Sequence, residues 1–137
     1  TSLHSLIPHV HDFVTQVPGS FVRTNQGIRN ILRYTHCLSV NIVITRLNYQ
    51  ELPEIPRYLF DLGVRGIKFS ALTVEGAGNI HEWLFISEKA AYPYIARAYK
   101  NSKKLGFLNV EGEHFSRAFA AKKEFSFVRF INSSDKR

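Results

Sequence analysis

The side chains best suited to chemistry gather on and around one stretch, Leu38 to Asn48, LSVNIVITRLN. Asn41 donates and accepts hydrogen bonds at once, which suits a ribose or a carboxylate, or another polar group inside the fold. Thr45 and Asn48 stand where that stretch ends. Asn48 is also a natural helix cap there. Arg46 beside them suits an anionic group or plain solvent. A second group, His9, His11 and Asp12, offers metal-ligand types close together. Histidines two apart can share an ion, but a third and fourth ligand are not evident, since His81 and His114 are distant in sequence. Gly76 and Gly78 permit close approach of backbone to a ligand, as glycines of a flexible turn also do. Ser, His and Asp occur without a nucleophile-elbow motif, so a hydrolase reading lacks support.

The elements that must position these groups follow from periodicity. Leu38, Val40, Ile42 and Ile44 alternate with Ser39, Asn41, Val43 and Thr45. A strand here is aliphatic on one face and small and mostly polar on the other. Thr1 to His4 reads as the tail of an earlier strand. Residues 4–19 read as a loop with a helical turn, bounded by two prolines and Gly19. Ser20 then caps a helix to about Tyr34, with Phe21, Ile28, Ile31 and Leu32 inward. The next helix runs from Tyr49 to Leu62 with Leu52, Ile55, Leu59 and Leu62 on one side. Gly63 ends it, and Pro56 separates or kinks its first turn.

A second strand runs from Val64 to Leu72, with Ile67, Phe69 and Ala71 toward the helices and Lys68, Ser70 and Leu72 away. Thr73 to Asn79 is a loop. Ser87 caps a helix to Leu105 whose inner face is Tyr92, Ile95, Ala96, Tyr99 and Leu105, and Gly106 stops it. A short strand, Phe107 to Glu111, follows. This alternation predicts an α/β fold of parallel βα repeats. From Gly112 the rhythm is not kept: EFSFVRFI reads as a strand and NSSDKR as a disordered end. The division expected is 1–112 as the repeat core and 113–137 as a tail.

The chain has 137 residues, 45% hydrophobic and 21% charged, which fits one globular domain or part of one. It starts at Thr1 and contains no Met, which points to a fragment or a processed chain. The single cysteine excludes an intramolecular disulfide, and its place before an apolar strand predicts a buried, inert thiol at Cys37. No apolar run approaches the ~20 residues of a membrane span, and a reducing, cytoplasmic setting is favoured. The net charge of +7 is spread along the chain, without a stripe of basic and aromatic residues. That spread argues against nucleic acid as the partner and fits solubility or an acidic partner.

The order of several short motifs carries a resemblance. Ser2-Leu3-His4 is followed by His11-Asp12, then Gly19-Ser20-Phe21, then Thr45 to Asn48 as T-x-x-N, then Leu62-Gly63-Val64, then the loop Leu72 to Gly76. This order resembles the carboxyl-terminal half of the barrel core of radical SAM (S-adenosylmethionine) enzymes, over roughly residues 1–112. The departures are specific. His4 stands where Asp is usual, Thr15 where many relatives carry Arg, Val74 where Pro is common, and Ser116 near a position where some carry Cys. The family's C-x-x-x-C-x-x-C segment and its Gly-Gly-Glu segment are absent.

The resemblance implies a partial, half TIM-like barrel, with ligands at the carboxyl ends of its strands. It implies that Ser2 meets a ribose hydroxyl and that Leu72 meets the adenine, with Asn41 and Thr45 completing this chain's share of the cofactor pocket. The intact parent would use S-adenosylmethionine and a [4Fe–4S] cluster to form a 5′-deoxyadenosyl radical. This chain alone would bind neither and be inactive, its partner being the missing amino-terminal half. The substrate is not implied. The competing expectation is a freestanding basic α/β module that binds an anionic ligand or RNA without catalysis.

Overall fold

Alternate aliphatic residues build the strands β1 (Ser39–Ile44) and β2 (Gly66–Ala71) of a four-stranded sheet. The strands β3 (Asn109–Glu113) and β4 (Arg129–Ile131) complete it. A computed structural model describes residues 1–73 and 82–131 of the chain. The helices are α1 (Pro8–Thr15), α2 (Ser20–Leu32), α3 (Ile55–Leu62), α4 (Glu88–Leu105) and α5 (Arg117–Ala120). Short 3-10 turns cover Tyr49–Glu51 and Lys123–Phe125. The predicted loop glycines Gly76 and Gly78, the loop residues Val74 and Glu75, His81 and the NSSDKR end lie outside the described residues.

All pairings are parallel and follow chain order, β1-β2-β3-β4. The α/β class with a parallel sheet is as the periodicity predicts. Val40 aligns with Ile67 and Val110, and Ile42 with Phe69, Gly112 and Phe130. These rows face the helices. Val40, Ile42, Ile67 and Phe69 are fully buried, with Ile28 of α2, Ile55 and Leu59 of α3 and Ile95 and Tyr99 of α4. Each such side chain contributes about 1.5–3 kcal/mol. Gly112 is needed in its row, because a Cβ there would lie 2.5 Å from the Phe130 ring and 2.6 Å from the Tyr99 hydroxyl. Before β1, Leu3 N donates to Asn41 O (3.0 Å) and Asn41 N to Thr1 O (2.9 Å), so the first residues lie alongside as a short parallel bridge.

Helix ends obey local rules. Ser87 caps α4 by accepting from Ala90 N, and Gly63 and Gly106 end α3 and α4 in the left-handed conformation. Pro56 sits in the first turn of α3, and the segment before it is the separate 3-10 turn. Other expectations are corrected. Residues 8–15 form a full helix, because Pro8 lies in its first turn, where a proline is tolerated. Ser20 is the first helical residue of α2, not its cap, since Gly19 takes the cap position. Asp12 of α1 reaches over instead and accepts from Gly19 N (2.7 Å), Phe21 N (2.8 Å) and Ser20 Oγ (3.1 Å). Ile31, in the last turn of α2, is exposed. Cys37 is exposed too, because it precedes the first sheet residue and sits in the connection from α2.

The third strand starts and ends two residues later than expected, at Asn109 and Glu113. The chain beyond it adds a further parallel strand, reached through α5 and the second 3-10 turn. An aromatic cluster holds this segment to α4. Phe115 and Phe119 stack at 4.5 Å, Phe119 and Phe125 at 5.0 Å, and Tyr99 of α4 meets Phe125 edge-on at 5.2 Å. At the other end, Trp83 packs edge-on against Phe13 of α1 at 5.8 Å. No helix among the described residues is long and apolar enough to cross a membrane.

Candidate functional site

The strand residues of opposite parity make a polar face. Asn41, Lys68, Glu111 and Arg129 form one row across the sheet, and Val43, Ser70, Glu113 and Ile131 the next. The two rows are tied together. Ser70 Oγ donates to Asn41 Oδ1 at 2.7 Å, and Glu113 Oε2 lies 3.4 Å from the same hydroxyl. Lys68 Nζ donates to Glu113 Oε2 at 2.9 Å. His114 Nε2 lies 3.9 Å from the other Glu113 oxygen. Glu113 is 6% exposed, so this carboxylate is buried and needs its cation. The more exposed Glu111–Arg129 pair stands at 4.0 Å. The face thus presents an amide, a hydroxyl, an ammonium and carboxylates side by side. Such a set suits a hydroxyl-rich or zwitterionic ligand.

The first residues are fastened to this face by side chains. Asn48 Nδ2 donates to His4 O and to Val43 O, both at 2.7 Å, while its Oδ1 accepts from Thr45 N at 2.8 Å. The T-x-x-N spacing therefore acts as a buried bracket between the first segment and the end of β1. Asn48 caps no helix by its side chain. Glu51 completes the attachment by accepting from Ser5 Oγ and Leu6 N. His4 and His11 stack at 5.7 Å. His11 Nδ1 accepts from His4 N at 3.0 Å and His4 Nδ1 from Val43 N at 3.3 Å, which requires the neutral form of each ring. Burial, then the neighbouring His11, pull the pKa of His4 down to about 4. Burial also lowers that of His11, against the pull of Asp12.

At the carboxyl ends of the strands lies a cleft of about 180 Å³, walled by Ile44, Leu72, Phe85, Ile95, His114 and Phe115 among others. It is largely apolar, with His114 on its rim. The sequence-predicted residues divide accordingly. Ser2 and Asn41 are brought together by their parallel bridge on the polar face. Thr45 is buried and its Oγ1 accepts from Leu47 N at 3.2 Å, within the strand-end turn. Leu72 stands in the cleft instead. The sequence reading missed Glu113. Continuing the alternation of Val110 through Gly112 places Glu111 and Glu113 on the polar face; which residues they meet there is set by the register.

Among the described residues no group of three or more His, Cys, Asp or Glu side chains is placed to hold an ion. His9 is exposed on α1 while His11 is buried, so the pair does not converge. Cys37 stands exposed before the amino end of β1, away from the carboxyl ends of the strands, and is the chain's single cysteine. The residues present do not fit a [4Fe–4S] cluster, which takes several thiolates.

Comparison with known proteins adds one relationship. No family model matches the chain, and no solved structure matches it. A tungsten-containing aldehyde ferredoxin oxidoreductase cofactor-modifying protein of Pyrococcus furiosus is 29% identical over 84 residues, covering 56% of this chain and 24% of that protein. The chain thus spans about a quarter of the length of the curated relative it is similar to.

Proposed function

We propose that this chain is the carboxyl-terminal part of a radical S-adenosylmethionine enzyme core, its sheet forming one side of a partial TIM-like barrel. The observation that carries the reading is the parallel sheet wound in chain order, with helices on its apolar face and a hydrogen-bonded polar row on the other. A parallel sheet is normally covered on both faces. Curling toward further strands would turn the polar face into a lumen. The ordered motifs that resemble that family support the same reading, and the chain is also similar to part of a cofactor-modifying protein. That similarity favours a substrate that is itself a cofactor or its precursor.

In the intact parent, S-adenosylmethionine and a cluster on cysteines outside this chain would supply the radical chemistry, and this chain would give the cluster no ligand. This chain's residues bind and screen. Ser2 and Asn41 hold the ribose side. The Asn41 carbonyl is engaged by Ser70, which leaves its NH2 group to donate. Leu72 and the apolar cleft receive the adenine, and Thr45 shapes the strand end beside it.

The test begins with the coding sequence upstream of the Thr1 codon. The frame is expected to continue and to contain C-x-x-x-C-x-x-C. The full-length protein, reconstituted and reduced without oxygen, is then expected to cleave S-adenosylmethionine. Asn41→Ala should raise the KM for the cofactor about tenfold, the worth of one hydrogen bond. A start codon directly before Thr1, or a full-length protein inert toward S-adenosylmethionine, overturns the reading.

A further inference from the structure

We infer that the outer side of α4 is a docking groove for an acidic, extended polypeptide segment. The chain from Ser116 to Phe127 runs alongside α4 in the same direction. Ser116 is fixed to Glu88 at 2.6 Å, Tyr92 meets Phe119 at 5.9 Å, and Lys103 Nζ lies 5.0 Å over the Phe127 ring. Two clefts open in succession between these segments, of about 340 and 300 Å³. Lys89 and Lys122 line the first, and Arg97, Lys100 and Lys103 the second. All five are exposed, and none has a carboxylate within ion-pair distance among the described residues. The carboxylates in the same clefts are Glu88, already committed to Ser116, and Glu124. Five of the chain's 18 basic residues are thus brought together here by the fold.

The chemistry favours carboxylates over nucleic acid. Single-stranded nucleic acid needs aromatic faces on which bases stack. The ring of Tyr92 is covered by Lys122 Nζ at 4.8 Å and that of Phe127 by Lys103. What remains is a line of point charges. Lys89 to Lys103 spans about 21 Å at ~1.5 Å per helical residue. An extended peptide of about six or seven residues covers that length at ~3.3 Å each. Acidic side chains on alternate positions would meet the cations on one side.

The experiment is fluorescence anisotropy of a labelled peptide of alternating Glu and Gly, about seven residues long, titrated with this chain at low and moderate salt. Binding that weakens with salt is expected. Lys100→Glu with Lys103→Glu should weaken it about tenfold or more, whereas Arg29→Glu with Arg33→Glu at the end of α2, the same change in net charge, should alter it less than about twofold. Circular dichroism checks that each variant is folded. Should the reversal variant fail to fold, Lys100→Gln with Lys103→Gln replaces it, with about a threefold loss expected. No binding by the unaltered chain, equal losses from both pairs of substitutions, or tighter groove-dependent binding of an unstructured oligonucleotide would each overturn the inference.

Discussion

The two faces of the sheet are built from the same strands but by different physics. The helix side is built of apolar contacts in two rows, Val40 with Ile67 and Ile42 with Phe69, each fully buried. Its stability is a sum of areas, and neighbours of similar volume could replace one another. The other side is a set of named pairs, Ser70 with Asn41 and Lys68 with Glu113, in which each group needs its own partner. Removing one member there leaves a polar atom stranded. The comparison teaches where conserved volume is enough and where identity is required, and identity is what a ligand reads.

Substitutions sharpen that contrast. Phe69→Ala, which removes a fully buried ring that meets Tyr99 edge-on at 5.3 Å, should cost about 3–5 kcal/mol in urea unfolding. Phe69→Leu should recover much of it.

Acid should act on the polar side. The pKa of His4 is held down to about 4 by burial, then by His11. An unfolded histidine titrates near 6.5. Above that pH neither state holds the proton and stability is full. As the pH falls from 6.5 toward 4 the unfolded chain takes up the proton first, and stability drops by on the order of 3 kcal/mol. His11, also lowered by burial, adds a loss of the same sign, and the Asp12 carboxylate, held below its usual range by the Phe21 and Gly19 amides, adds its own as the pH falls further. His4→Asn keeps an acceptor for Val43 and should remove the share of the slope that belongs to His4; an unchanged slope would refute the assignment.

The smallest effect tests pairing itself. Lys68→Met should cost about 1–2 kcal/mol, since the lysine side chain is 24% exposed and partly screened. Adding Glu113→Leu should restore part of that loss. Purely additive losses in the cycle would mean the pair is not coupled.

Much of the helix-facing side was legible in the sequence, because alternation along LSVNIVIT and GIKFSA is a property of neighbours in the chain. The ends of α3 and α4 were legible for the same reason, through Ser87, Gly63 and Gly106. The pairs on the polar face were not, since they depend on register between strands far apart in sequence. A strand ending at Glu111 leaves Glu113 out, whereas β3 runs on to it. Gly112 is a poor strand former read alone, and its reason for being there lies in Tyr99 and Phe130. The α1 helix was hidden by prolines that mark a helix start as readily as a loop. The apolar neighbours of Cys37 predict a buried thiol, but the sheet begins only at Ser39 and the thiol is exposed.

The seat of α1 against Trp83 has a practical side. This indole is the chain's sole tryptophan, and it is 48% exposed while touching Phe13. Its emission is therefore a built-in optical gauge of one helix. Lifting α1 away would hydrate the ring, shift its light to longer wavelength and open it to iodide quenching. A stopped-flow trace at a single wavelength could then time the release of the amino-terminal helix without any label.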